Sequence, residues 1–172
     1  IWLALGTIGM LLGMVYFMSK GWDVEDPEEE EFYVITILIA GIAAASYLSM
    51  FFGFGLTEVE LVNGRVIDVY WARYADWLFT TPLLLLDIGL LAGASNRDLA
   101  TLITIDAFMI VTGLAATLMK IPTARFAFWT ISTIAMLFVL YYLVVTVGEA
   151  ASAADEDTQS TFRVLRNLIL VA

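Results

Sequence analysis

Five long apolar stretches, nearly free of formal charge, constrain this chain more than any other feature. They are Ile1–Ser19, Phe32–Leu56, Val69–Ala92, Leu99–Met119 and Phe126–Val147. A hydrocarbon layer of roughly 30 Å takes about 20 apolar residues of helix to cross. A backbone inside it must also satisfy its own hydrogen bonds. The pattern therefore predicts spanning helices in an all-α membrane protein. Composition agrees, since 61% of the 172 residues are hydrophobic, against about 45–50% in soluble domains. A sixth apolar run opens near Phe162 and reaches Ala172, about half the length of a span. The first stretch starts without a Met or a polar flank and lacks the basic leader of a signal peptide. Residues 1–172 are expected to be a single transmembrane domain, cut through helices at both ends, with the final helices missing.

The connections are short, as between antiparallel neighbours. Gly21–Glu31 carries Asp26–Pro27 followed by four glutamates, a helix-start signal. Glu58–Asp68 alternates polar and apolar residues around Asn63–Gly64, which predicts a small β-hairpin outside the membrane. Gly93–Asp98 and Lys120–Thr123 read as tight turns, and Gly148–Ser160 as a longer, polar, mobile loop. Lys20, Arg97, Arg163 and Arg166 fall on one side of the membrane, and Arg65, Lys120 and Arg125 on the other. The positive-inside rule favours the first group as cytoplasmic, by one charge.

The chain has no Cys and no His, which excludes disulfides, thiolate nucleophiles and Cys/His metal sites. A net charge of −10 makes nucleic acid an unsuitable partner. Its acids gather in Asp23–Glu31 and Glu149–Asp157, an acidic water-facing surface compatible with high salt.

The ionisable residues inside the spans carry the most information. A charge at the bilayer centre costs about 2.5–3.5 kcal/mol on insertion scales, so such residues are candidates for function. The third span holds Arg73, Asp76 and Asp87, and the fourth holds Asp106. Asp76 and Asp87 are eleven residues apart, which on a helix is within about 20° of three full turns and roughly 16 Å along the axis. They share a face. Thr80 lies one turn beyond Asp76 on that face, where its hydroxyl can donate to the carboxylate. Arg73 is close enough to hold Asp76 ionised, whereas Leu83–Leu86 and Ile88 surround Asp87 and favour its neutral form. An acceptor and a donor so arranged suit a vectorial proton path. The same residues also suit polar contacts between buried helices, or the lining of a water-filled channel. Asp106 reads more simply as a protonated acid bonded to a Thr or Ser of a neighbouring span. Pro82 frees the carbonyl of Leu78 mid-span.

Around the acids lie residues suited to a flat, elongated ligand. Trp77, Thr81 and Leu84 share a face of the third span. Met109 and Gly113 follow Asp106 on the fourth, and Trp129, Ser132 and Met136 repeat the spacing on the fifth. Aromatic planes opposite small residues would form a narrow apolar slot, although ordinary helix packing produces the same stripes.

The run Tyr70–Trp71–Ala72–Arg73–Tyr74–Ala75–Asp76–Trp77–Leu78–Phe79–Thr80–Thr81–Pro82–Leu83–Leu84–Leu85–Leu86–Asp87 closely resembles the third helix of the haloarchaeal microbial rhodopsins of the bacteriorhodopsin and archaerhodopsin type. Phe32–Tyr33, Tyr47–Leu48–Ser49–Met50 and Gly55–Leu56–Thr57 resemble the second helix. Ile131–Ser132–Thr133 and Ser160–Thr161–Phe162 resemble the fifth helix and the entry to the sixth. The likeness covers essentially the whole chain. It implies a seven-transmembrane-helix rhodopsin bundle, here helices one to five plus the start of the sixth, with a small β-hairpin between helices two and three.

The resemblance implies a light-driven outward proton pump, an ion transporter of the cell membrane and not an enzyme, with all-trans retinal held as a protonated Schiff base. Asp76 is then counter-ion and proton acceptor, and Asp87 the cytoplasmic donor. Thr80 bonds to the acceptor, Thr36 lies near Asp87, and Arg73 swings between Asp76 and the exit side. Trp77, Thr81, Leu84, Met109, Gly113, Trp129, Ser132 and Met136 match retinal-pocket positions, Asp106 pairs with Thr81, and Tyr47 and Tyr74 stand at the pocket edge. The implied partners are retinal, membrane lipids and further copies of the chain in a homotrimer. Chloride-pumping members lack the acceptor acid and sensory members usually lack the donor. Both acids are present here, which favours the pump over a sensory photoreceptor signalling through a membrane transducer, or over a helical bundle that does not respond to light. The only lysines, Lys20 and Lys120, sit at span ends, so the attachment lysine is expected in a missing seventh helix.

Overall fold

The computed structural model describes residues 1–171. It contains α1 (Trp2–Gly21), α2 (Pro27–Phe51), β1 (Leu56–Glu60), β2 (Val66–Tyr70), α3 (Trp71–Leu91), α4 (Asn96–Leu118) and α5 (Pro122–Tyr142). A π-helical turn (Leu143–Val147) carries α5 into α6 (Gly148–Ala151), and α7 (Glu156–Val171) comes last. Among the described residues five helices are long and apolar enough to cross a membrane, with Pro122–Ala151 counted as one rod.

α2 starts at Pro27, where the missing N–H has no helical partner to lose. It stops at Phe51, short of the expected Leu56, because Gly53 and Gly55 take φ of +80° and +74°, a region that favours glycine. A Cβ on Gly55 would collide with that of Ala72, and the Ala72 N–H donates to the Gly55 carbonyl over 3.1 Å. The chain thus turns directly onto the root of α3. The hairpin is wider than the sequence suggests, pairing Leu56 with Tyr70 through to Glu60 with Val66. Its tip closes where the Gly64 N–H donates to the Leu61 carbonyl over 2.9 Å. The Val62 N–H reaches the Lys120 carbonyl at 3.4 Å, which ties the hairpin to the α4–α5 turn.

Each helix packs against the next along the chain, and α7 returns to α3. The outer faces are apolar and exposed, with Phe108, Val111, Ile131, Ile134 and Phe138 on α4 and α5. Water would not tolerate so continuous a patch, but lipid does. Most hydroxyls within the spans, such as Thr104, Thr112, Thr130 and Thr133, donate to carbonyls of their own helix. The buried cluster is Leu85, Ile88, Ala92, Leu102, Val139, Leu143, Val147, Ala151 and Phe162, drawn from α3, α4, α5, the π-turn, α6 and α7.

α3 and α4 approach closely at Gly89, where an added Cβ would strike the Leu99 side chain. Gly89→Ala is expected to destabilise the full-length protein by about 1–3 kcal/mol through overpacking. Its thermal midpoint should fall, whereas Gly9→Ala, with nothing within 4 Å of its added Cβ, should leave it unchanged or raise it.

The stretch Gly148–Ser160 differs from the mobile loop expected of it. Helix continues to Ala151 and resumes at Glu156. Alanines propagate the first segment, and Asp155 caps the second, its carboxylate accepting from the Thr158 N–H at 3.0 Å and the Thr158 hydroxyl at 2.8 Å. Gln159 Nε2 donates to the carbonyls of Ser152 and Ala154. The Thr158 backbone and hydroxyl hydrogen bonds hold the Asp155 carboxyl below its usual range. This cap is therefore present at neutral pH and lost as pH falls through the lowered value.

Candidate functional site

α3 carries the site, and three hydrogen bonds between helices position it. Ser46 Oγ of α2 donates to the Ala72 carbonyl over 2.9 Å, one turn before Asp76. Ser132 Oγ of α5 donates to the Met109 carbonyl over 2.9 Å. Thr81 Oγ1 lies 2.6 Å from Asp106 Oδ2, the partner the resemblance implied. These bonds join α2 to α3, α4 to α5 and α3 to α4.

The contacts of Thr81 bear on the protonation of Asp106. Its Oγ1 is also 2.7 Å from the Trp77 carbonyl oxygen. A threonine hydroxyl has one hydrogen, so it either shares that hydrogen between the two oxygens or accepts from a neutral Asp106, and the burial of Asp106 favours the second. Asp106 is 1% exposed, where an unpaired charge would be costly. The dark-state infrared spectrum of the full-length protein should contain a protonated-carboxyl stretch that disappears in Asp106→Asn and shifts in Thr81→Val. A band indifferent to both substitutions would contradict this assignment.

Asp76 and Thr80 are buried on α3, and Asp87 is half-buried. Asp76 Oδ1 and Asp87 Oδ1 are each shielded from solvent and have no hydrogen-bond partner among the described residues. The Thr80 hydroxyl lies alongside the Asp76 carboxylate and donates to the Asp76 main-chain carbonyl over 3.0 Å. One expectation is corrected. No ion pair joins Arg73 to Asp76 among the described residues. Arg73 is exposed and lines a cavity beside Asp68 and Tyr70, its long stem carrying the guanidinium toward water. The Thr36 hydroxyl, expected near Asp87, is used within α2, donating to the Phe32 carbonyl over 2.9 Å.

That cavity, of ≈ 640 Å³, lies between α3, α4, α5 and the hairpin, within the roughly 300–1,000 Å³ of small-molecule sites. Six expected pocket residues line it: Tyr74, Trp77, Met109, Gly113, Trp129 and Ser132. Tyr74 and Trp77 meet edge to face, ring centres 5.4 Å apart. Gly113 leaves the passage open, since an added Cβ would sit 3.2 Å from Ser132 Oγ and 3.6 Å from Tyr74. Thr81, Leu84, Asp106, Met136 and Tyr47 are not among its lining residues, nor is Asp76, the neighbour of Trp77. Arg125 lines it, although the sequence presents that residue only as a span-end charge. Its Nη2 donates to the Thr117 carbonyl over 2.9 Å, and its buried Nε has no partner. Position after Pro122 at the start of a span was the one available signal.

These residues fit an elongated apolar cofactor carrying one cationic N–H. Aromatic walls and a glycine gap suit the apolar part, and the orphaned oxygen of Asp76, outside the lining but one residue before Trp77, is a carboxylate on the same helix suited to the N–H. Neither lysine stands at this depth, since Lys20 lies in the last turn of α1 and Lys120 comes after the end of α4.

Several spanning helices with carboxylates within them and an aromatic cavity beside them define a multi-pass membrane protein. The chain belongs to the bacteriorhodopsin-like family, whose description, Bacteriorhodopsin-like protein, matches residues 1–172. It is 90% identical over 172 residues to Bacteriorhodopsin-II of Haloarcula marismortui, covering 100% of this chain and 69% of that protein. It is 56% identical over 171 residues to Archaerhodopsin-2 of Halobacterium sp. (strain aus-2), covering 99% and 66%. Among solved structures, thermophilic rhodopsin from Rubrobacter xylanophilus superposes with TM-score 0.90 at 43% identity, covering 99% of this chain and 74% of that one. The light-driven proton pump LR (Mac) from Leptosphaeria maculans gives TM-score 0.90 at 32% identity, covering 98% and 73%.

Proposed function

We propose that this chain supplies the proton path of a light-driven outward proton pump, with Asp76 as acceptor and Asp87 as donor. One observation carries the reading. α3 stacks two carboxylates on one side, each with a shielded oxygen lacking a hydrogen-bond partner among the described residues, and a cavity of cofactor size opens next to the first. All-trans retinal, held as a protonated Schiff base on a lysine other than Lys20 and Lys120, would supply light absorption and the exchangeable proton. Tyr74, Trp77, Met109, Gly113, Trp129 and Ser132 would clasp it.

Asp76 takes up that proton on an oxygen that is shielded from solvent and has no hydrogen-bond partner among the described residues. The neutral Asp106–Thr81 pair fixes α3 against α4 without adding a competing charge. Arg73, unpaired with Asp76 among the described residues and lining the cavity beside Asp68 and Tyr70, would favour the ionised carboxylate on approaching Asp76 and so help drive its proton off to water. Asp87, among Leu85, Leu86 and Ile88, holds the next proton until Asp76 has been occupied. Direction follows from placing acceptor and donor at opposite ends of one helix face.

The test is illumination of vesicles that carry the full-length protein with retinal. Light should acidify the medium on the hairpin side and do nothing in retinal-free vesicles. The absence of a light-dependent pH change would overturn the reading.

A further inference from the structure

One hydrogen bond between distant residues is not used by this mechanism. The Tyr142 hydroxyl donates to Asp98 Oδ1 over 2.7 Å, across 44 residues. Asp98 stands in the first turn of α4, and Ser95 Oγ fixes its other oxygen over 2.6 Å. Ser95 also accepts from the Asp98 N–H at 3.2 Å, so Oδ2 is held within α4 and Oδ1 is left for Tyr142 of α5. The Tyr142 ring packs on the buried cluster while its hydroxyl reaches out to Asp98.

Two further features meet at Tyr142. The π-turn begins at the next residue, and such a turn is a register defect that can be released into ordinary helix, shifting the residues C-terminal to it. Leu143 and Val147 of that turn are both 0% exposed. They belong to the cluster that includes Leu85 and Ile88, the neighbours of Asp87, and extends through Ala92 to the end of α3. That cluster packs around the C-terminal half of α3, on both sides of Asp87 in sequence.

We propose that Asp98 and Tyr142 are positioning residues that clasp α5 to α4, hold the π-turn in the cluster, and so set how fast a proton from water reaches Asp87. The inference rests on the pump reading above. It assigns no proton-carrying role to either residue. Opening the clasp frees Leu143 and Val147 to leave the cluster and admit water.

Tyr142→Phe removes the hydroxyl and keeps the ring, so the packing survives. In the full-length retinal-bound protein, proton uptake after a flash should become about three- to tenfold faster, as loss of one charged hydrogen bond implies, while proton arrival at Asp76 keeps its rate. Asp98→Asn should act in the same direction, and the double variant should add little beyond either single change. In the dark, without any activity, amide hydrogen exchange at Leu143–Val147 should rise in Tyr142→Phe. Unchanged uptake and unchanged exchange would overturn the clasp, as would equal changes in both proton steps or additive effects. If the unsubstituted protein moves no protons, the pump reading fails instead, and the exchange measurement still decides whether the clasp exists.

Discussion

Asp76→Asn in the full-length pigment is expected to lower light-driven proton export by about 100-fold or more, the scale on which positioned acid–base groups act. Asparagine keeps the size and shape of the side chain and cannot bind a proton at neutral pH. The substitution therefore leaves Ala72 held by Ser46 and the Thr80 bond to the main chain intact. The loss is confined to the one oxygen beside Trp77 that is both shielded from solvent and without a partner. Vesicle pH under illumination reads the result directly. Export persisting at the unsubstituted rate would show that the proton goes elsewhere.

Asp87→Asn should fail differently. Export is expected to continue, but uptake should slow by about 100-fold at neutral pH, because protons must then come from bulk water through the apolar cluster. Without an internal donor the uptake rate becomes proportional to proton concentration, so it should rise about tenfold for each unit by which pH is lowered, the definition of pH setting the slope. The unsubstituted protein, refilled by Asp87, should show a much flatter dependence. Flash experiments with a pH-sensitive dye at several pH values separate the two. A flat profile in Asp87→Asn would mean that another group is the donor.

The parts of this protein that the sequence displays are those where a residue type is out of place. Aspartates in an apolar run point to α3, and Asn63–Gly64 between alternating residues points to the hairpin. Asp106 and Thr81 were legible because a buried acid needs a partner and a hydroxyl stands one helix away. Side-chain direction was not legible. The long stem of Arg73 could reach Asp76 or the hairpin end, and it lines the cavity beside Asp68 and Tyr70. Thr36 could bond across helices, but its own helix satisfies it first.

The end of α5 was the most opaque segment. Neither Gly nor Pro occurs between Tyr141 and Val147 to mark the π-turn, and its cause is tertiary, since Leu143 and Val147 both enter the cluster. The Tyr142–Asp98 bond joins residues on separate helices, and no local pattern announces such a pair. The helix reaching Ala151 was hidden for a related reason. Polar composition suggests a loop, while the Asp155 cap and the Gln159 contacts make two helix ends of it.

Time-resolved infrared spectroscopy of the complete pigment, with carboxyl bands assigned through Asp76→Asn and Asp87→Asn, bears most directly on the relay along α3. A flash should first produce a protonated band belonging to Asp76, and only afterwards a transient loss of one belonging to Asp87. If Asp87 is already ionised before the flash, or the two signals arrive in the reverse order, the relay described here is wrong.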